Sequence, residues 1–436
     1  MHALALTLLL LSTLMAGAQT CSQSSKAAAA ERLHQAQAKT LAFEAAPMDS
    51  GVPAGVAPLL VDLKNALVEA SDAELACEST AAAPTKLQAD LNAFLSEATP
   101  GSSVPKEPVS EGRTTVDNDF KPVKGLYGNE IKVQVSELFG PPRLVEVTFT
   151  NDVTCGDDSQ LLIYEAKGDH WTRALRWSAD FGQGNGSSAA WIPSTNSAWG
   201  DFFLTGILTP DEAHPEDWRA VVAHGTPWCT SRFSRFGLAL LAPSAKGRAR
   251  VIWQTDRGYS RGGDSAVRMK ASGDTFELRM HADEMSFNED GFERLVVYRY
   301  RVSGDKIIRL QPIAAHARGF IEEWLEMPWE EALAQSDAAQ AGKLERVHKE
   351  YEHRYRDKDA FTSWASGPVQ VCTTPDHFQV KMTTARNRIV PGKPGGESTD
   401  GPTYYFQLQQ GQGYRLLDIT TTSDPTCHGA DLMRNR

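Results

Sequence analysis

Between Tyr127 and Ile313 apolar residues recur at every second position, and this alternation constrains the chain more than any other feature. Ile131, Val133 and Val135 alternate with Glu130, Lys132 and Gln134, and Phe276, Leu278 and Met280 alternate with Glu277, Arg279 and His281. Val296, Tyr298, Tyr300 and Val302 likewise alternate with Val297, Arg299 and Arg301. Successive side chains of a strand point to opposite faces, so a period of two predicts antiparallel sheet with one buried and one charged face. Gly168-Asp169, Gly273-Asp274 and Gly304-Asp305 fall between such runs and suit tight hairpins. About twelve strands result, grouped in fours at 130–178, 199–256 and 266–313. Four-stranded units of roughly fifty residues have the dimensions of propeller blades, and a twisted sandwich or an irregular meander accounts for the same strands.

The flanks follow the period of a helix. Residues 19–98 form an Ala-rich helical region in which Leu33, Ala36, Thr40 and Phe43, then Val56, Leu59, Leu63 and Leu67, then Leu87, Leu91, Phe94 and Leu95 make narrow stripes. Ser71-Asp72-Ala73-Glu74 reads as a capping box that starts a short helix carrying Cys77. Residues 99–124, rich in Pro and Ser, read as a linker, and the β domain follows over 125–316. Residues 317–436 return to helix, with Phe320, Ile321, Trp324 and Leu325 on one face, and end in a small antiparallel sheet, an α+β unit. The expected fold is mainly β with α: an N-terminal short-helix region, a central antiparallel meander that is propeller- or sandwich-like, and a C-terminal α+β unit.

Residues 1–18 have the apolar run and the small residues Ala16-Gly17-Ala18 of a secretory leader, although no Lys or Arg precedes the run. Lipidation at Cys21 fits less well, because Ala18 and Thr20 stand where the acylation pattern asks for Leu and a small residue. No later apolar run is long enough to span a bilayer, so no membrane span is expected after the leader is removed. The expected destination is the periplasm or the extracellular space, where six cysteines argue for disulfides. They fall two to a region, which predicts Cys21 with Cys77, Cys155 with Cys229 and Cys372 with Cys427. No two stand at zinc-ligand spacing. The net charge of −11 argues against nucleic acid unless a basic patch emerges on folding, and no basic cluster is visible along the chain.

Motifs for chemistry are present but lack their context. Gly258-Tyr259-Ser260-Arg261-Gly262 matches the nucleophile-elbow pattern, yet no helix follows it, and it reads as a Gly-rich turn. His348 and His353 stand five apart, about 140° around a helix, whereas a metalloprotease pair stands four apart, so they read as part of a solvated charged face. Gly182 to Gly186 reads as a flexible loop rather than a dinucleotide site. Asp283, Asn288 and Asp290, with Glu284, Glu289 and Glu293, are the candidate calcium ligands, with spacing foreign to an EF-hand and closer to an acidic surface loop. Seven of the ten tryptophans lie between Trp171 and Trp253, most of them suited to packing between strands. Trp191 and Trp199, in the polar stretch AAWIPSTNSAWGD, are the candidate ligand contacts.

The sequence therefore favours a binding protein without chemistry, needing no cofactor, whose loops and exposed tryptophans take a glycan or peptide. The first rival is a hydrolase, either with Ser260 and a base at His224 or His316, or with paired carboxylates among Asp256, Asp264 and Asp283. The second is an assembly component whose helical layer meets a partner.

Overall fold

The computed structural model describes residues 21–432 except 45–54, 100–123, 139–141, 154–155, 179–201, 212, 226–232, 245–246, 261–266, 284–292, 311–313, 315, 355, 358–359, 389 and 391–395. Three helices come first: α1 (Gln23–Leu41), α2 (Ala57–Leu75) and α3 (Pro84–Ala98). Their stripes are buried at Leu33, Ala36 and Thr40, at Leu60, Leu63 and Leu67, and at Leu87, Leu91 and Leu95. Pro84 opens α3, where its missing N–H removes no helical hydrogen bond. Ser71 to Glu74 start no new helix. They lie inside α2, where the Asp72 carboxylate accepts from the Tyr164 hydroxyl, the Ser71 hydroxyl is hydrogen-bonded to the same phenol oxygen, and Arg173 forks onto Asp72. Tertiary partners thus take up the oxygens that a cap would have used.

Among the described residues twelve strands follow in three sheets, each a consecutive antiparallel meander. The first holds β1 (Ile131–Leu138), β2 (Leu144–Val153), β3 (Gly156–Lys167) and β4 (His170–Ser178). The second holds β5 (Phe202–Leu208), β6 (Arg219–His224), β7 (Phe233–Ala242) and β8 (Arg250–Ser260). The third holds β9 (Arg268–Ser272), β10 (Thr275–Asp283), β11 (Glu293–Ser303) and β12 (Lys306–Leu310). The groups of four fall where the alternation and the turns place them, and Gly168, Gly273 and Gly304 all turn with positive φ.

The three sheets stack face to face under the helical layer. Val145, Val147, Phe149, Leu162, Tyr164 and Trp171 of the first sheet pack against α1–α3. Its other face, with Leu161, Ile163, Leu175 and Trp177, meets Ala220, Val222, Ala239 and Leu241 of the second sheet. The second sheet then presents Val221, Ala223, Leu238 and Leu240 to Phe276, Leu278, Met280, Tyr298 and Tyr300 of the third. Sheets two and three approach closely at Gly206 of β5, where an added Cβ would lie 2.6 Å from that of Ala271. The stack does not close on itself: helices cover one end, and the charged face of the third sheet forms the other.

The C-terminal unit sets α4 (Ala317–Glu326), α5 (Trp329–Ala334) and α6 (Ala341–Glu352) on one face of a five-stranded sheet ordered β16-β15-β14-β13-β17. Its strands are β13 (Ala360–Cys372), β14 (His377–Arg388), β15 (Glu397–Gln410), β16 (Tyr414–Thr420) and β17 (Cys427–His428). Phe320, Trp324, Leu344 and Tyr351 fill the space over Val380, Met382, Phe406 and Leu408. On the back of the sheet Gln379 donates to Gln370 at 3.1 Å and to Ser423 at 2.9 Å, and accepts from Gln407 at 2.9 Å. Arg309 of β12 joins this unit to the stack, reaching Glu323 at 3.0 Å while lying 4.2 Å over the Tyr298 ring.

Disulfides link Cys21 to Cys77 across the start of the helical layer and Cys372 to Cys427 across the edge of the last sheet. Closing loops of 56 and 55 residues removes chain entropy worth on the order of 4 kcal/mol each in the unfolded state. Both pairs are those that the regional distribution predicts; Cys155 and Cys229 lie outside the described residues, as do residues 1–18. Two disulfides place the fold in an oxidising compartment. Among the described residues no helix is long and apolar enough to cross a membrane.

Candidate functional site

Antiparallel meanders send alternate connections to opposite rims of a sheet, and stacking aligns the rims of the three sheets. The end of β4, the start of β5 and the end of β6 converge, because the Trp177 ring lies 5.9 Å from Phe202 and 4.6 Å from His224. At the opposite rim the Thr209 N–H, just after β5, donates to the Gly273 carbonyl in the β9–β10 turn, and Arg250 at the start of β8 pairs with Asp305 in the β11–β12 turn. The first rim consequently carries the ends of β4, β6, β8 and β10 and the starts of β5, β7, β9 and β11, whereas the opposite one carries the tight turns at Gly168, Gly273 and Gly304.

This topology brings the strand ends that carry Ser260 and Asp283 to one rim. Ser260 is the last residue of β8 and Asp283 the last of β10. Trp191 and Trp199 belong to the β4–β5 segment and Asn288 and Asp290 to the β10–β11 segment; these four lie outside the described residues, as do Asp264 and the loop from Gly182 to Gly186. Ser260 occupies a ladder position opposite Phe233 rather than the turn that its glycines suggest, and β8 leads toward β9 of the next sheet.

The backbones of His224 and Ser260 stand apart in this register, while the side chains of Ser260, Asp256 and Asp283 lie outside the described residues. His224 sits opposite Gly237, which sits opposite Asp256, while Ser260 lies four residues farther along β8. Two strand spacings and four residue rises separate the His224 and Ser260 backbones by about 16 Å. The His224 ring is fully buried beneath the rim, edge-on to Trp177 and packed over Gly237, where a Cβ would fall 2.3 Å from the imidazole. His316 instead caps α4, its Nδ1 accepting from the Gly319 N–H at 3.1 Å. The backbones of Asp256 and Asp283 belong to different sheets.

A second buried polar group lies at the same rim, between α2 and the first sheet. The Lys64 ammonium meets Asp158 at 2.8 Å with both side chains essentially inaccessible to solvent. Asn151 faces Asp158 in the ladder, and the Gln160 amide donates to the Lys64 carbonyl at 2.9 Å. Removing one partner would strand a buried charge, at a cost of about 3–5 kcal/mol. The residue that betrays this pair in the sequence is Lys64, which interrupts the apolar stripe of α2 between Leu60 and Leu67.

His348 differs from its expected place on a solvated face. It lies in the C-terminal core with its Nε2 donating to the Met327 carbonyl at 2.8 Å and Trp324 and Trp329 against its ring. Burial pushes its imidazole below the usual histidine range, only partly opposed by Glu352, so the ring is neutral. Helical spacing separates it from His353 as expected, but the face it occupies is apolar.

Among the described residues no group of three or more His, Cys, Asp or Glu side chains is placed to hold a metal ion. What the described geometry offers is a rigid stack whose longer connections leave from one rim, above a layer of buried aromatic and paired polar side chains. Compared with family models and with curated proteins, the chain matches none.

Proposed function

We propose that this is an exported binding protein, acting in the periplasm or outside the cell, that recognises a glycan or peptide through the connections at the β4–β5 rim. The observation that supports the reading is that the strand ends from which these connections leave lie on one side of three packed sheets. Recognition segments gain affinity from a scaffold that orders their ends before the ligand arrives. Trp191 and Trp199 belong to one of these segments, and flat aromatic faces beside Asn and Ser suit sugar rings and extended peptides alike. Cleavage after Ala18 belongs to the same reading.

A glycan array and a peptide display library, probed with the wild-type chain and with Trp191→Ala, test it. The expected result is binding to a defined ligand that weakens at least roughly tenfold in the variant while the melting temperature is unchanged. Failure to bind any carbohydrate or peptide overturns the proposal. Labelling of Ser260 by a fluorophosphonate probe would overturn its non-catalytic part.

A further inference from the structure

The outer face of the third sheet carries a cationic surface that no stretch of the sequence displays. β9, β10, β11 and β12 pair without a register shift, so the parity of every residue assigns its face. Phe276, Leu278, Met280, Tyr298, Tyr300 and Val302 point inward against the second sheet. Arg268, Lys270, Arg279, Arg299, Arg301 and Lys306 share the opposite parity and project outward. One ladder row holds Arg268, Arg279 and Val297; the next holds Lys270, Glu277, Arg299 and Leu310. A third holds Ser272, Thr275, Arg301 and Ile308, and Lys306 faces Ser303 beyond it.

Six cations thus share these rows with Glu277, which accepts from both Arg279 and Arg299, while Arg301 also pairs with Asp274 of the β9–β10 turn at 3.3 Å. The side chains of Arg279, Arg299 and Arg301 keep 51%, 49% and 52% of their accessibility, so the face is open to solvent. Strands about 4.8 Å apart and alternate residues about 6.6 Å apart confine the group to an area of roughly 15 by 20 Å. Neighbouring cations then lie within one Debye length, about 8 Å at physiological ionic strength, and act together. The acidic excess that gives the whole chain its net charge of −11 is carried by other residues, and beyond one Debye length it is largely screened.

We propose that this face binds an anionic polysaccharide, one bearing carboxylate or sulfate groups, at a site separate from the rim. Its flat surface and spaced guanidinium groups suit a linear polyanion, since each arginine can take an oxyanion in a two-toothed hydrogen bond. The rows above contain no aromatic side chain on which nucleic acid bases could stack. They present no helix or ribbon to enter a duplex groove. The oxidising compartment fixed by the disulfides is also one in which acidic glycans are encountered.

Immobilised heparin and polygalacturonate, with duplex DNA and anionic phospholipid vesicles as competitors, test the assignment by interferometry at low and physiological salt. The wild-type chain is expected to bind at least one polysaccharide, more weakly as salt rises. The double reversal Arg299→Glu with Arg301→Glu should lose at least tenfold, and Glu277→Gln, which frees two arginines, should gain. Arg386→Glu, an exposed reversal on β14, should bind like wild type, and so should Trp191→Ala, which keeps this outcome separate from that of the rim. Circular dichroism checks that each variant is folded. No binding to either polysaccharide, tighter binding to DNA or vesicles, or an equal loss in Arg386→Glu overturns the proposal.

Discussion

The second and third sheets are built alike and sequenced differently. Both are four-stranded antiparallel meanders, yet β6 reads Arg-Ala-Val-Val-Ala-His with every residue after Arg219 buried, whereas β11 alternates Tyr298 and Tyr300 with Arg299 and Arg301. The second sheet has protein on both faces and can carry no outward charge without burying it. The third has protein on one face, so its other parity is free to be cationic. Position in the stack, rather than strand chemistry, sets which pattern each sheet must have.

The strongest test of that contrast places the same change in both sheets. Val221→Asp puts a carboxylate between sheets two and three and is expected to cost on the order of 4–5 kcal/mol, enough to unfold the stack, whereas Val297→Asp, opposite Arg279 on the open face, should cost less than about 1 kcal/mol. Urea titrations followed by tryptophan fluorescence compare the two, and similar losses would contradict the layer order.

A smaller effect should come from the contact between the sheets. Gly206→Ala forces two Cβ atoms to within 2.6 Å unless the strands shift, and is expected to cost about 1–3 kcal/mol. Adding Ala271→Gly should restore much of that loss, and a double-mutant cycle with no coupling would mean that β5 and β9 do not meet there.

The smallest effect concerns acid. Hydrogen bonds from Arg299 and Arg279 hold the Glu277 carboxyl below its ordinary value of 4.5. Its contribution is therefore complete above that value and lost as pH falls through the lower folded-state value. Stability should decline by less than about 1 kcal/mol from this group below pH 4.5, and Glu277→Gln should remove that part of the slope in acid titrations of the urea midpoint.

Much of the architecture is legible along the chain because its signals are local. Alternation marks the strands, glycines at 168, 273 and 304 mark three of their turns, and helical stripes mark the two flanks. The signals mislead where a polar residue takes a distant partner. Ser71 and Asp72 look like a cap because the sequence shows neither Tyr164 nor Arg173 beside them. His348 looks solvated because its helix is highly charged, although its own position falls on the side of Trp324 and Trp329. Of the candidate site, the loop residues could be named, but the convergence of their strand ends follows from stacking that period alone does not encode.

Residue order was sufficient for the number and grouping of the strands, the helical flanks and two cysteine pairings, since each depends on spacing within one segment. Which sheet is enclosed on both faces, the burial of Lys64 with Asp158 and the union of Arg268, Lys270, Arg279, Arg299, Arg301 and Lys306 arose from folding. The physical reason is register: hydrogen-bonded ladders set residues far apart in the chain about 5 Å from one another, and charges diluted along the sequence become a field only when that happens.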